Sequence, residues 1–202
     1  MLRVVNDILQ AKGLMLRAGT AVDATLIAAP SSTKNAEGER DPEMHQVKKG
    51  NQWYLGMKAH IGVDAASSLA RTVVGTAANV SDINVAGALL HGQEHAAFGD
   101  SDYQGVHKRA ETAGPTWHVA MRPGKRRLLN PFIEPELMAE RVEKMKASIR
   151  AKVEHPSRVI KQQFGFTKVR YRGLMKNTAQ IVTLFALSNL WMARNRLIKA
   201  GG

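Results

Sequence analysis

The chain contains no cysteine in its 202 residues. That absence removes disulfides, thiolate zinc sites and cysteine nucleophiles together, and it agrees with a cytoplasmic setting. Long apolar runs are missing too: no stretch reaches the roughly 18 apolar residues of a membrane span. The opening MLRVVNDILQAKGLML carries charges within its apolar pattern, unlike a secretory leader. A soluble intracellular protein with no membrane partner is the expectation. Acidic residues are scarce, 17 Asp and Glu against 29 Lys and Arg, so the formal net charge is +12 and the pI near 10.2. Disorder is not expected, because 44% hydrophobic and 23% charged residues match a folded domain. This length supports one good core and is short for two.

The positive charge is clustered. From Met121 to Lys176 there are fifteen Lys and Arg against five Glu, which accounts for most of the net charge. Polyanions attract such a surface through counterion release, whatever their sequence. Nucleic acid is therefore the first partner to consider, with ribosomal, membrane-surface and merely solvated readings as alternatives.

Local patterns give the element order. Leu2, Val5, Ile8 and Leu9 have helical spacing, and Gly13 is a plausible stop. TAVDATLI, residues 20–27, reads as a buried strand, and the polar, turn-rich stretch 29–52 as a long loop. WYLGMKAHIGVD and LARTVVGTAANV form a hairpin across AASS, after which Ser81 caps a helix through DINVAGALLHG. HAAFGDSDYQG approaches a further strand, GVHKRAETAG is helix-like, and TWHVAMRP is another strand. The segment EPELMAERVEKMKASIRAKVEH is a helix that Pro156 should end or kink, and NTAQIVTLFALSNLWMARNRLI is a last, apolar helix suited to the core. The order predicts an α/β fold, a mixed sheet covered by helices on both faces.

Three acids resist a purely structural account. Asp23 interrupts an apolar strand, Asp100 ends one, and Glu154 stands in a basic helix beside Arg150, Lys152, Arg158 and Lys161. Taken singly, a strand-edge Asp is often a turn residue, and a Glu among lysines is usually a weak ion-pair partner. Taken together, they suit a shared cation, since Mg2+ and Mn2+ prefer carboxylate oxygens completed by water and phosphate. The basic flank would then hold the phosphates on which that cation acts.

GTAVDATLIAAPSSTKN, KKGNQWYLGMKAHIGVD, FGDSDYQGVHKR and VEHPSRVIKQQFGFTKVRYRGLMKN resemble, in order, successive blocks of insertion-sequence transposases of the DDE type. The similarity runs from Leu2 to about Arg196. It implies a ribonuclease-H-like, mixed five-stranded sheet flanked by helices. Residues 1–18 would be the end of an N-terminal helical region of which most is lacking, 19–173 the catalytic domain, and 174–202 a C-terminal helix packed on it. It further implies that Asp23, Asp100 and Glu154 are catalytic and bind Mg2+ or Mn2+. The activity would be DNA cleavage at transposon ends followed by strand transfer, by a protein that forms homo-oligomers on double-stranded DNA and acts at the nucleoid. Arg150, Glu154 and Lys161 keep the spacing of the family's Tyr-x2-Arg-x3-Glu-x6-Lys pattern, with Ala147 at the Tyr position. Arg150 and Lys161, with Arg158, Lys168, Arg170 and Arg172, would contact DNA.

Asp102 replaces the glycine that usually follows GDS, and Ser157 stands where an aromatic residue is expected. Asp102 is thus either a competitor for the ion or a surface turn residue, and His155 is either a phosphate contact or a helix-end charge. The seven histidines, at 45, 60, 91, 95, 107, 118 and 155, lack zinc-ligand spacing. Among aromatic residues able to stack on bases, Tyr171 between Arg170 and Arg172 is the one best placed. Two other readings stay open: a truncated, inactive DNA-binding remnant, and a ribonuclease-H-like nuclease without strand transfer.

Overall fold

A computed structural model describes residues 1–36 and 38–199. Six strands form one sheet: β1 (Gly19–Ala28), β2 (His45–Lys49), β3 (Gln52–Asp64), β4 (Ala70–Ala77), β5 (Ala96–Gly99) and β6 (Thr116–Val119). The helices are α1 (Leu2–Ala11), α2 (Ala86–Leu89), α3 (Pro123–Arg126), α4 (Glu134–Arg150), α5 (Glu154–Arg158) and α6 (Leu174–Lys199). β3 is central to the antiparallel half, pairing with β1, β2 and β4, while β1, β5 and β6 run parallel. This is the expected α/β architecture, a ribonuclease-H-like mixed sheet flanked by helices, with six strands rather than five.

The extra strand, β2, lies inside the stretch expected to be loop. HQVKK has no apolar alternation and stays exposed at four of its five positions. Backbone pairing to β3 creates it, through a two-residue turn at Gly50 and Asn51 in which Gly50 takes φ +61°. Two expected helices are also corrected. Ser81 makes no side-chain cap bond, and a 3-10 turn at Asp82–Asn84 precedes the single turn of α2. GVHKRAETAG folds as two 3-10 turns, Val106–Lys108 and Ala110–Thr112, each too short to present a helical face.

Strand alternation divides the core. Ala21, Ile27, Met57, Ala59, Ile61 and Val63 pack with Leu2, Val5 and Leu9 of α1 and with Ile181, Phe185 and Ala193 of α6. Val22, one residue on, points the other way against Leu89, Tyr103 and Val106. α6 carries polar residues into its buried side. Asn189 donates to Asn6 Oδ1 (2.8 Å) and to the Ala70 carbonyl (2.7 Å), and accepts from the Ala70 N–H (2.8 Å), joining α1, β4 and α6. Gly75 lets α6 lie directly on β4, since a Cβ there would come within 2.1 Å of Thr178 Oγ1.

Pro156 breaks the regularity of its helix without ending it. It has no N–H to give the carbonyl four residues back, so the chain tightens into a 3-10 turn at Ala151–Val153. Helical backbone resumes as α5 and finishes in a π-helical turn, Val159–Gln163.

Candidate active site

Asp23 faces the helical layer that contains α1 and α6. It is paired across the antiparallel ladder with Ile61, and directly opposed residues share a face. β1 and β5 run parallel with Ala21 beside Phe98, so carrying that register two residues further brings Asp23 level with Asp100. Two carboxylates far apart in sequence thus meet just beyond the C-terminal end of β5. Asp100 is the N-cap of a 3-10 turn, and its Oδ1 accepts from the Asp102 N–H at 2.8 Å.

The pair sits in a partly desolvated place. Burial pushes the Asp23 carboxyl up to about 6, with the Asp100 and Asp82 charges adding to the shift and the Ala24 N–H and Arg150 opposing it. Burial also raises Asp100, helped by Asp102 and Asp82 and opposed by the Asp102 N–H and Arg150. Tyr103, three residues after Asp100, is wholly buried, its phenol held well above its usual range by burial and the nearby acids, and its hydroxyl has no hydrogen-bond partner.

The segment around Pro156 brings a cation to the pair. Arg150 Nη1 lies 3.8 Å from Asp100 Oδ2, and its buried Nε has no partner. Two lysines dock the same segment onto the sheet. Lys152 Nζ donates to the Ala65 carbonyl (2.6 Å) in the β3–β4 turn, and Lys161 Nζ donates to the Leu26 carbonyl (3.1 Å) of β1. Burial lowers the Lys161 pKa, Lys49 adds to that, and Asp23 opposes it.

The remaining expected site residues stand further out. Glu154 opens α5 on its exposed side, and His155 beside it is exposed as well. Among the described residues, no three His, Asp or Glu side chains are grouped so as to hold one metal ion, so Glu154 does not join the two aspartates in this arrangement. Asp102 is exposed, and its backbone rather than its carboxylate engages Asp100. Arg158 is exposed and donates to Gln162 (2.9 Å). Lys168, Arg170 and Arg172 lie on the exposed strip that follows the π-helical turn.

Sequence reading missed Asp82, Lys58 and His60. Lys58 Nζ bonds Asp82 Oδ1 at 2.7 Å, and the fully buried His60 places Nδ1 3.7 Å from the same oxygen while Nε2 pairs with Thr76 Oγ1 at 2.8 Å. A Lys and a His inside an otherwise apolar strand were the available signal. With Ser81, Ser101 and Asp102, the Lys58–Asp82 pair lines a cleft of about 470 Å³ beside the Asp100 turn.

Asp23 and Asp100 fit a hard divalent cation. They are oxygen donors in a negatively charged, partly desolvated place, and Mg2+ commonly takes one or two carboxylates with water and phosphate completing its shell. No solved structure matches the chain. The family model for the transposase DDE domain matches residues 15–190, which include Asp23, Asp100 and the segment that carries Glu154. With most of its length matched in this way, the chain belongs to the transposase DDE domain family.

Proposed function

We propose that this protein is a metal-dependent DNA transposase that cleaves transposon ends and transfers the released strand into target DNA. The observation that carries this reading is the Asp23–Asp100 pair, brought level by β1 and β5 and raised in pKa by burial. Mg2+ or Mn2+ held by these carboxylates would activate an attacking oxygen and stabilise the one that leaves. Arg150, already beside Asp100, supplies a guanidinium for a phosphate at the same place. Lys152 and Lys161 hold the segment between them against the sheet, fixing where Glu154 begins its helix. Glu154 is the third acid of the site, joining it when DNA and metal are bound. Arg158, Lys168, Arg170 and Arg172 provide further contacts to the duplex backbone. Two copies of the chain would hold two ends together.

The test uses duplexes carrying the DNA that flanks the chain's own coding sequence, incubated with Mg2+ or Mn2+. Nicking by the parent, lost by more than about a hundredfold in folded Asp23→Asn and Asp100→Asn proteins, is the expected result. Joining of a pre-cut 3′-hydroxyl end separates a transposase from a simple nuclease. The exposed place of Glu154 favours one second reading, a DNA-binding protein that does not cut. Full duplex binding with no metal-dependent nicking under any condition would select it.

A further inference from the structure

We propose that Tyr171, with Arg40, Arg170 and Arg172, forms a subsite for one unpaired nucleotide, its base stacked on the tyrosine and its phosphate held by guanidinium groups. The proposal rests on the reading of the chain as a DNA-acting protein and specifies one part of that surface. A cleft of about 270 Å³ opens here, its lining made by these four residues with Pro30 and Val169 among others. Its size admits a single nucleotide and no duplex. Tyr171 is 52% exposed, where an aromatic ring of its size is ordinarily more covered.

Loose backbone does not explain that exposure. Asn177, with no exposed surface, holds the loop from inside: its Oδ1 accepts from the Arg170 and Tyr171 N–H groups, both at 3.2 Å, and its Nδ2 donates to the Tyr171 and Gly173 carbonyls, both at 2.7 Å. From the other side Asp41 accepts from the Gly173 N–H (2.6 Å) and Glu43 from the Leu174 N–H (2.7 Å). A buried asparagine spending all four bonds on an exposed Arg-Tyr-Arg turn pre-organises it, which is how a binding surface lowers the ordering cost of capture. Asp41 also lines the cleft, with one carboxylate oxygen already engaged by that turn.

The choice of ligand follows from the mixture. Phosphate alone would need the cations without the ring, and a ring stacks a base only when that base is out of its own helix. The place is also suitable. β1 continues from Asp23 to its end at Ala28, and Ala29 and Pro30 border the cleft, so it lies about 20 Å along the chain from Asp23, or about six base steps of a bound strand.

The experiment measures fluorescence anisotropy of a labelled oligothymidylate and of a duplex of equal length at one salt concentration. Tyr171→Ala is expected to weaken the single strand about tenfold and the duplex by less than about twofold, while Tyr171→Phe and Tyr171→Trp keep the parent affinities. Unchanged single-strand affinity in Tyr171→Ala overturns the subsite, as does equal weakening of both probes. If the parent binds neither probe, the DNA-acting reading itself fails. If the parent binds both and only the Tyr171 effect is absent, the subsite alone is wrong.

Discussion

At the scale of single residues, the acids beyond β5 and the Lys58–His60–Asp82 group show how burial sets protonation. His60 is held neutral: burial lowers its pKa from 6.5 to about 4, with Lys58 adding to that and Asp82 opposing it. Its folded value lies below the unfolded one, so its contribution to stability is complete above pH 6.5. As pH falls from there towards 4, the unfolded chain takes up a proton that the folded chain refuses. Denaturant melts across that window should show a loss on the order of 3 kcal/mol, absent in His60→Gln. A flat profile in the parent would place the imidazole in contact with water. The Asp23–Asp100 site was half legible in sequence: each acid stood out where a strand should be apolar or should end, but nothing local shows that they are neighbours. Asp82 went unread because a Ser-Asp pair after a strand looks like an ordinary cap.

The elements follow the same division. α1, β1, β3, β4 and α6 are long enough for periodicity to reveal them, whereas β2 is made by its partner strand and α2 by a single turn. α6 reads as an apolar core helix, and its buried side does include Ile181, Phe185 and Ala193. Its fixed position comes instead from Asn189, whose three bonds to Asn6 and Ala70 set the register of α6 against α1 and β4. Asn189→Ala would strand the Ala70 N–H and the Asn6 Oδ1 in a dry interior, at a cost of about 2–4 kcal/mol in urea melts. A cost under about 1 kcal/mol would mean that water or a shifted Asn6 replaces the bonds.

On the scale of the whole molecule, charge is the dominant feature. Cations crowd the segment that runs across the acids and on to the Arg-Tyr-Arg turn. If six of them meet phosphates, the logarithm of duplex affinity should fall against the logarithm of salt with a slope of about −5, and Arg158→Gln should reduce that slope by about 1. A slope near zero would remove the backbone-contact model. Lys161 and Lys152 are cations whose roles differ from a charge count, because both spend bonds on backbone carbonyls, of β1 and of the β3–β4 turn. Among the described residues no helix is long and apolar enough to cross a membrane.

The sequence alone determined what depends on neighbours in the chain: the excess of cations and where it lies, the strand and helix periods, the acid at the heart of an apolar strand, and an aromatic ring between two arginines. Tertiary structure decided what depends on register between distant segments. The parallel pairing of β1 with β5 sets Asp23 level with Asp100, and the segment around Pro156 with its two lysine docks sets Arg150 beside Asp100 and Glu154 at the exposed start of α5. Asn177 likewise bonds a turn that lies several residues before it in the chain. Periodicity is fixed by sterics within a few residues, but the desolvation that raises the Asp23 pKa and the bonds that hold Tyr171 in solvent exist only once separate elements have packed.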